Sequence, residues 1–217
     1  ETPNSTIGDT LIMKYKSYDD FSDFNNKVRL VANFNNSSIA IQDIMVFSPA
    51  LQANAFFIKN RTEVLDINGI LKGRINRLRS KDLDVKLAGG VQFTGDFNSR
   101  NIAIRHDEYF FLEDAVIRTS MKTLNDLIPD FAPPTNFNKL GKLNFKGSFN
   151  GFIEDFVAEG DLLCDLGRAS MNMRLDVKNG KEQAIYEGKL NLDDFDLKTW
   201  TGNEQMGNIT FTSDVTN

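Results

Sequence analysis

Apolar and polar residues alternate along most of the chain. In the stretch from Lys142 to Gly167, apolar residues and glycines occupy every second position, and Asn, Lys, Ser, Glu and Asp fill most of the others. A period of two is typical of β-strands with one buried face and one solvated face. About a dozen antiparallel strands are therefore predicted. The other alternating segments are 6–15, 27–34, 37–43, 66–78, 82–97, 169–180, 184–195 and 207–215.

Three stretches interrupt this pattern and predict short helices. Residues 17–26 place Tyr18, Phe21 and Phe24 three apart, and residues 41–52 hold a helical turn limited by Pro49. Residues 119–131 form the strongest helix candidate, and the following 132–139 reads as a linker. We therefore expect residues 1–135 to form a first segment ending in a short helix and a Pro-rich linker. Residues 136–217 would form a second segment that continues the same sheet.

The apolar face of such a sheet needs a cover, and the predicted helices supply only about 30 residues for one. A sandwich, a closed barrel and an open trough remain as solutions. Several glycines recur in phase with the apolar residues, where they permit bending and leave space above the sheet. They are Gly69, Gly73, Gly147, Gly151, Gly160 and Gly188. The predicted fold is all-β: an elongated, curled antiparallel sheet forming a β-taco-like hydrophobic groove, with two or three short helices.

Composition argues against several kinds of chemistry. The net charge of −5 disfavours nucleic acid as a partner. The single cysteine, Cys164, reads as a small buried thiol, and the single histidine, His106, as a solvated turn residue. One Cys and one His do not make a zinc site or a catalytic triad, so we expect no metal, no cofactor and no enzymatic activity. No apolar stretch is long enough to span a bilayer.

Two clusters of charged residues are interpreted as solvent-exposed surface rather than as binding sites. The basic residues between Lys72 and Lys81 lie near four acidic residues in the sequence, so a solvated, self-balanced face is favoured over an anion site. The basic residues are Lys72, Arg74, Arg77, Arg79 and Lys81, and the acidic ones are Glu63, Asp66, Asp82 and Asp84. Asp193, Asp194 and Asp196 lack the spacing of a calcium loop.

Three segments, taken in order, resemble the TamB family, the translocation and assembly module proteins related to AsmA-like proteins. The segments are 2–24, 140–177 and 186–200. The most specific part is F-x-G-x-F-x-G-x-x-x-D-F, which runs from Phe145 to Phe156. The family pattern often has threonine near Cys164 and glycine at the position of Lys198, and this chain departs from it there.

The resemblance implies a periplasmic segment of a protein from a Gram-negative bacterium, anchored in the inner membrane by a helix outside this chain. It implies a groove that carries phospholipid between the inner and outer membranes, linked to outer-membrane biogenesis and to an outer-membrane barrel assembly protein. The family has no catalytic residues to carry over. We also expect the chain to be a piece of a longer protein.

The floor of this groove is predicted from the apolar phase of the strands, with phospholipid acyl chains as the ligand. Its residues are Leu30, Phe34, Leu71, Ile75, Val85, Leu87, Phe93, Leu143, Phe145, Phe149, Leu162, Met171, Met173, Leu175, Leu190 and Leu192. Two alternatives stay open. One is a non-catalytic β-scaffold that binds assembly machinery or nascent β-strands, and the other is a closed sandwich or barrel that binds a small ligand.

Overall fold

The chain forms a single antiparallel sheet in which each strand pairs with its neighbour in sequence. The computed structural model describes residues 4–87, 89–104, 106–129, 131, 133–178 and 183–216. The strand order is β1 to β11 without a crossover, so β1 and β11 are the two edges and the sheet is not a closed barrel. The predicted fold class is confirmed. The strands are β1 Thr10–Lys14, β2 Arg29–Ala40, β3 Val64–Arg74, β4 Arg77–Leu87, β5 Val91–Arg100, β6 Tyr109–Ser120, β7 Lys142–Phe152, β8 Asp155–Cys164, β9 Gly167–Asp176, β10 Ile185–Asp196 and β11 Asn208–Thr216.

The described residues contain more helices than the predicted two or three, although each is short. The predicted helices at 17–26, 41–52 and 119–131 are all present. The predicted linker begins at residue 132, which lies outside the described residues, and it includes most of the 3₁₀ helix Thr135–Leu140. Phe137 of this helix contacts Trp200 with ring centroids 5.2 Å apart. The α-helices are α1 Phe24–Lys27, α2 Ile41–Phe47, α3 Ala55–Lys59, α4 Met121–Leu127 and α5 Leu197–Thr201, and the 3₁₀ helices are Tyr18–Asp23, Pro49–Ala53 and Thr135–Leu140.

The two long rims of the sheet differ because the strands run in sequence order. Every connection that follows an even-numbered strand lies along one rim, and this helical rim carries α2 to α5. Connections that follow odd-numbered strands lie along the opposite rim, which we call the turn rim. Its longest connection is residues 15–28, which contain α1, and it also includes residues 101–108.

A line of β-bulges crosses the middle of β2 to β6, and we call it the crease. The pairing register shifts after Phe34 in β2, Ser80 in β4, Leu112 in β6 and Leu192 in β10. A bulge places an extra residue in one strand, which bends that strand and increases its twist. The bulges of β2, β4 and β6 lie in alternate strands at the same level, so they bend the sheet along one line. The bulge of β10 lies nearer the helical rim.

Each of these bulges contains an Asn or Asp with left-handed backbone. The φ angles are 48° at Asn36, 50° at Asp82, 47° at Asp114 and 49° at Asp194. Asn and Asp tolerate this conformation better than other residues with a Cβ. In three of the four bulges, a side chain of the next strand accepts a hydrogen bond from the freed backbone N–H. The acceptors are Asn68 for Asn36 (2.7 Å), Asp96 for Asp82 (3.0 Å) and Thr210 for Asp194 (3.1 Å).

The first prediction tests the backbone requirement of the crease at Asp82. Asp82→Val should lower the free energy of unfolding by about 1–3 kcal/mol, because a β-branched residue is strained at positive φ. Asp82→Gly should change it by less than about 1 kcal/mol, since glycine adopts this conformation without a Cβ clash. Urea denaturation measures both. Lys86→Val, at an exposed and extended position of the same strand, is the control, and an equal loss there would contradict the prediction.

Candidate functional site

The strand register places the predicted floor residues on one face of the sheet. Directly paired residues of antiparallel strands point to the same side. One such row crosses four strands through the pairs Phe145↔Leu162, Leu162↔Ala169 and Ala169↔Leu192. The remaining floor residues in strands follow the same phase on β2, β3, β4, β5, β7, β9 and β10. Ile75 is the one predicted floor residue that does not belong to a strand, because it lies in the turn between β3 and β4.

The apolar face of β2 to β5 is covered by the protein itself, and we call this part the sealed segment. Ala32, Phe34, Ile67 and Leu83 form its buried centre. Ile75 is buried against Phe24 and Val28 at the turn rim. Leu87 is buried against Ile41 and Leu127 at the helical rim. The predicted floor residues Phe34, Ile75 and Leu87 are therefore core residues. Phe34 packs among apolar residues of the sheet itself, whereas Ile75 and Leu87 pack against the helical connections at the two rims.

A hydrogen bond across the mouth of the sealed segment shows how far the sheet bends. The side chain of Asn54, between β2 and β3 on the helical rim, donates to the Glu108 carboxylate on the turn rim over 3.3 Å. The 12-residue strand β2 would separate the two rims by about 40 Å if it were flat. The contact therefore requires both the bend at the crease and the helical connection 41–63, which reaches over the apolar face.

The apolar face of β7 to β10 has no comparable cover among the described residues, and we call it the open segment. The floor residues here are only half-buried, and none belongs to one of the three hydrophobic clusters. Tyr186 in β10 and Phe211 in β11 lie on the same face and are 42% and 41% exposed. The half-buried floor residues are Leu143, Phe145, Phe149, Leu162, Met171, Met173, Leu175, Leu190 and Leu192.

Glycines and stacked rings shape the open segment. Gly147 and Gly160 face each other across β7 and β8. A Cβ on Gly147 would lie 2.0 Å from the Glu159 carbonyl oxygen, and one on Gly160 would lie 2.3 Å from that of Lys146. Next to this pair, the rings of Phe149 and Phe156 stack with centroids 4.7 Å apart. The glycine pair allows two backbones to approach closely and leaves a low point in the floor beside the rings.

Strand β6 supplies floor residues that the sequence analysis missed. Phe110, Leu112, Ala115 and Ile117 pair with Gly151, Phe149, Gly147 and Phe145 of β7, so they share the apolar face. The alternation changes phase in this strand because the bulge inserts Glu113 and Asp114 between Leu112 and Ala115. The same spacing, a polar residue followed by Asn or Asp and then a change of phase, occurs at 35–36, 81–82 and 193–194. This repeated signal could have identified both β6 and the crease.

The remaining chemical groups are placed largely as expected. His106 is an exposed turn residue whose Nδ1 lies 3.3 Å from the Glu154 carboxylate. Cys164 is half-buried rather than fully buried, and burial raises the pKa of its thiol. Asp194 adopts the left-handed backbone of a bulge, so this member of the acidic cluster has a structural role. Within the described residues, no group of His, Cys, Asp or Glu is arranged to hold a metal ion, and no helix is long and apolar enough to cross a membrane.

Contrary to our expectation, the basic run between Lys72 and Lys81 is not balanced by neighbouring acidic side chains. Asp66 and Asp84 lie on the same polar face, but they occupy the part of the sheet between the crease and the helical rim. Of the five cations, only Lys81 forms an ion pair among the described residues, with Asp96 at 3.8 Å. The sequence placed these charges close together, whereas the register separates them along the strands.

A charge network closes the turn rim of the open segment. The Asp155 carboxylate accepts hydrogen bonds from Lys178 Nζ (2.7 Å) and Arg174 Nε (3.1 Å). The hydrogen bond from Lys178, and then that from Arg174, holds the pKa of Asp155 below its usual range. The network links the start of β8 to β9 and to the residues that follow β9.

Comparison of this chain with protein-family models, curated proteins and solved structures finds no match. The description of the site therefore depends on the geometry of this chain.

The second prediction tests the glycine pair of the open segment. Gly147→Ala should lower the free energy of unfolding by about 1–3 kcal/mol, because the new Cβ meets the backbone of β8 rather than a movable side chain. Gly207→Ala is the control, since nothing lies within 4 Å of its Cβ position. Urea denaturation compares the two variants. Equal stability of both would show that β7 and β8 are not as close as described.

The third prediction concerns pH. Because the pKa of Asp155 is depressed in the folded state, its ion pairs stabilise the fold above the unfolded pKa of about 4. That stabilisation disappears as the pH falls through the folded pKa. Asp155→Asn should therefore cost up to about 1 kcal/mol at neutral pH and nothing at strongly acidic pH. Asp161→Asn is the control, because the Asp161 carboxylate accepts its hydrogen bond from the neutral Ser170 hydroxyl and not from a cation. A loss that does not depend on pH would contradict the prediction.

Proposed function

We propose that the open segment is a passive floor for phospholipid acyl chains, within a periplasmic, TamB-like protein that moves lipid between two membranes. The observation that carries this proposal is a continuous apolar face on β7 to β10 whose floor residues stay half-buried and outside the hydrophobic clusters. Large uncovered apolar surfaces on proteins usually mark binding sites for apolar partners. The resemblance to the TamB family adds the expectation of a parent protein anchored in the inner membrane.

The energetics favour hydrocarbon as the occupant. Removing a methylene from water yields about 0.8 kcal/mol, so several methylenes on this floor offset the loss of chain freedom. The floor offers flexible Met171 and Met173 beside Phe145 and Phe149, a combination that adapts to a mobile chain. Polar head groups would remain at the solvated rims, because burying them without partners is costly.

The regularity of the floor supports movement along it rather than tight binding at one point. Successive strands are about 4.8 Å apart, and each contributes two or three apolar residues in the same phase. A chain that slides from one strand to the next therefore exchanges one apolar contact for a similar one. No bond is made or broken in this mechanism, so the proposal requires no catalytic residue.

A non-catalytic scaffold is the second candidate, and the free edge of β11 favours it. Among the described residues, β11 pairs only with β10. An exposed edge can accept a further strand by main-chain hydrogen bonding, either from the same protein or from an outer-membrane protein during its assembly. This candidate predicts lipid-free protein that binds an extended peptide.

The fourth prediction tests the acyl-chain floor at Met173 in β9. Met173→Asp should abolish binding of phospholipid, because an unpaired carboxylate on the floor is costly to cover with hydrocarbon. Its matched control is Asn172→Asp, which adds the same charge at an exposed position on the opposite face of the same strand. Native mass spectrometry of gently purified protein measures bound phospholipid directly. Leu190→Asp, on the neighbouring strand, should behave like Met173→Asp.

The outcome separates the two candidates. Wild-type protein and Asn172→Asp that carry phospholipid, with both floor variants empty and folded, would support the lipid floor. Folded wild-type protein without lipid, or floor variants that retain it, would overturn the proposal and favour the scaffold. In a full-length parent protein, the same floor variants should stop lipid passage without affecting membrane anchoring.

A further inference from the structure

A row of cations crosses the polar face of β1 to β5 beside the turn rim. This protein has a net charge of −5, so the concentration of positive charge at one place is unusual. The row lies on the side of the sheet opposite the apolar floor, and all of its members are solvent-exposed. Its members are Lys14, Arg29, Lys72, Arg74, Arg77, Arg79 and Arg100.

The cations face one another directly across neighbouring strands. Lys14 pairs in register with Arg29, Lys72 with Arg79, and Arg74 with Arg77. Like charges in direct cross-strand pairs repel and destabilise a sheet. Three such pairs, one between β1 and β2 and two between β3 and β4, are a cost that the fold does not require, because any neutral polar residue would serve on a solvated face.

No carboxylate of the described residues forms an ion pair with any of these seven cations. The nearest acidic side chain on the polar face of β5 is Asp96, and it pairs with Lys81 at the crease. In the neighbouring loop, the Asp107 carboxylate accepts from Asn101 Nδ2 over 2.7 Å, and Glu108 accepts from Asn54. The positive field of the row is therefore left for a partner outside the chain.

The row ends in a shallow depression of about 470 Å³ on β4 to β7. Arg77, Arg79 and Arg100 line it together with the amides of Asn98 and Asn150. The guanidinium of Arg100 lies over the ring of Tyr109, with its Cζ 4.8 Å from the ring centroid, and the Tyr109 hydroxyl donates to Asn150. These contacts hold one wall of the depression in place while the guanidinium N–H groups remain available.

We propose that this depression binds a phosphate-bearing group. Three guanidiniums around one site match an anion of charge near −2 better than a single carboxylate, and the guanidinium fork fits phosphate oxygens bidentately. The two asparagine amides add neutral donors. A phospholipid head group and a free phosphate ester share this chemistry. The site does not depend on the acyl-chain floor, because it lies on the opposite face.

An NMR titration at constant ionic strength tests the site with three probes: inorganic phosphate, glycerol 1-phosphate and hexaglutamate. The two phosphate probes should produce saturable shifts at the backbone amides of residues 77–79 and 98–100. Replacing Arg77, Arg79 and Arg100 together by Gln should weaken binding at least about tenfold, since each exposed charge contributes a few-fold. Arg118→Gln, an exposed arginine on the same face beyond the crease, should leave binding unchanged.

The outcomes are decisive in either direction. Tighter binding of glycerol 1-phosphate than of inorganic phosphate supports the site and indicates a head-group ester, and equal binding supports it for free phosphate. Tighter binding of hexaglutamate, an equal effect of Arg118→Gln, or no saturable shift overturns the proposal. Thermal unfolding is the second readout. Phosphate should raise the midpoint of the wild type and not that of the triple variant, which should be at least as stable without ligand because charge repulsion is removed.

Discussion

The structure depends on one constraint: a sheet of eleven strands in sequence order has a single continuous apolar face, and that face must be kept from water. A sheet usually meets this need by packing against a second layer. The helices in the described part of this chain are short, and they lie in the connections between strands. The chain therefore covers part of the face by bending the sheet on itself and by extending the connection 41–63 over it, and it leaves the rest without a cover of its own.

The bend follows from local backbone chemistry. At each of the four bulges an Asn or Asp adopts left-handed backbone, and in three of them the next strand supplies a side chain that satisfies the freed N–H group. From β7 to β9 the pairing has no bulge, and glycines such as Gly147 and Gly160 allow the close approach of backbones instead. Bulges thus shape the sheet in β2 to β6, and close glycine contacts shape it in β7 to β9, where no bulge occurs.

The two faces of the sheet support separate proposals. The apolar face of β7 to β10 offers contacts that repeat from strand to strand, which suits a mobile hydrocarbon chain. The polar face of β1 to β6 concentrates cations beside aromatic and amide groups, which suits a fixed anionic group. Because side chains alternate between faces along every strand, the same strands can carry both kinds of surface, and a substitution on one face leaves the other in place.

The sequence by itself determined the all-β class, the phase of most strands and the identity of the apolar face. These features depend on a period of two that each strand carries locally, so the floor residues predicted in strands do share one face. Only the tertiary structure decided which of them are covered. Phe34, Ile75 and Leu87 are core residues because residues distant in sequence pack around them in buried clusters, whereas Met173 and Leu190 belong to no such cluster. Strand β6 was not predicted, because its bulge reverses the alternation of apolar and polar residues. The unbalanced cations were not predicted either, because charges that are close in sequence need not be close across strands. The pairing register alone sets which charges face each other.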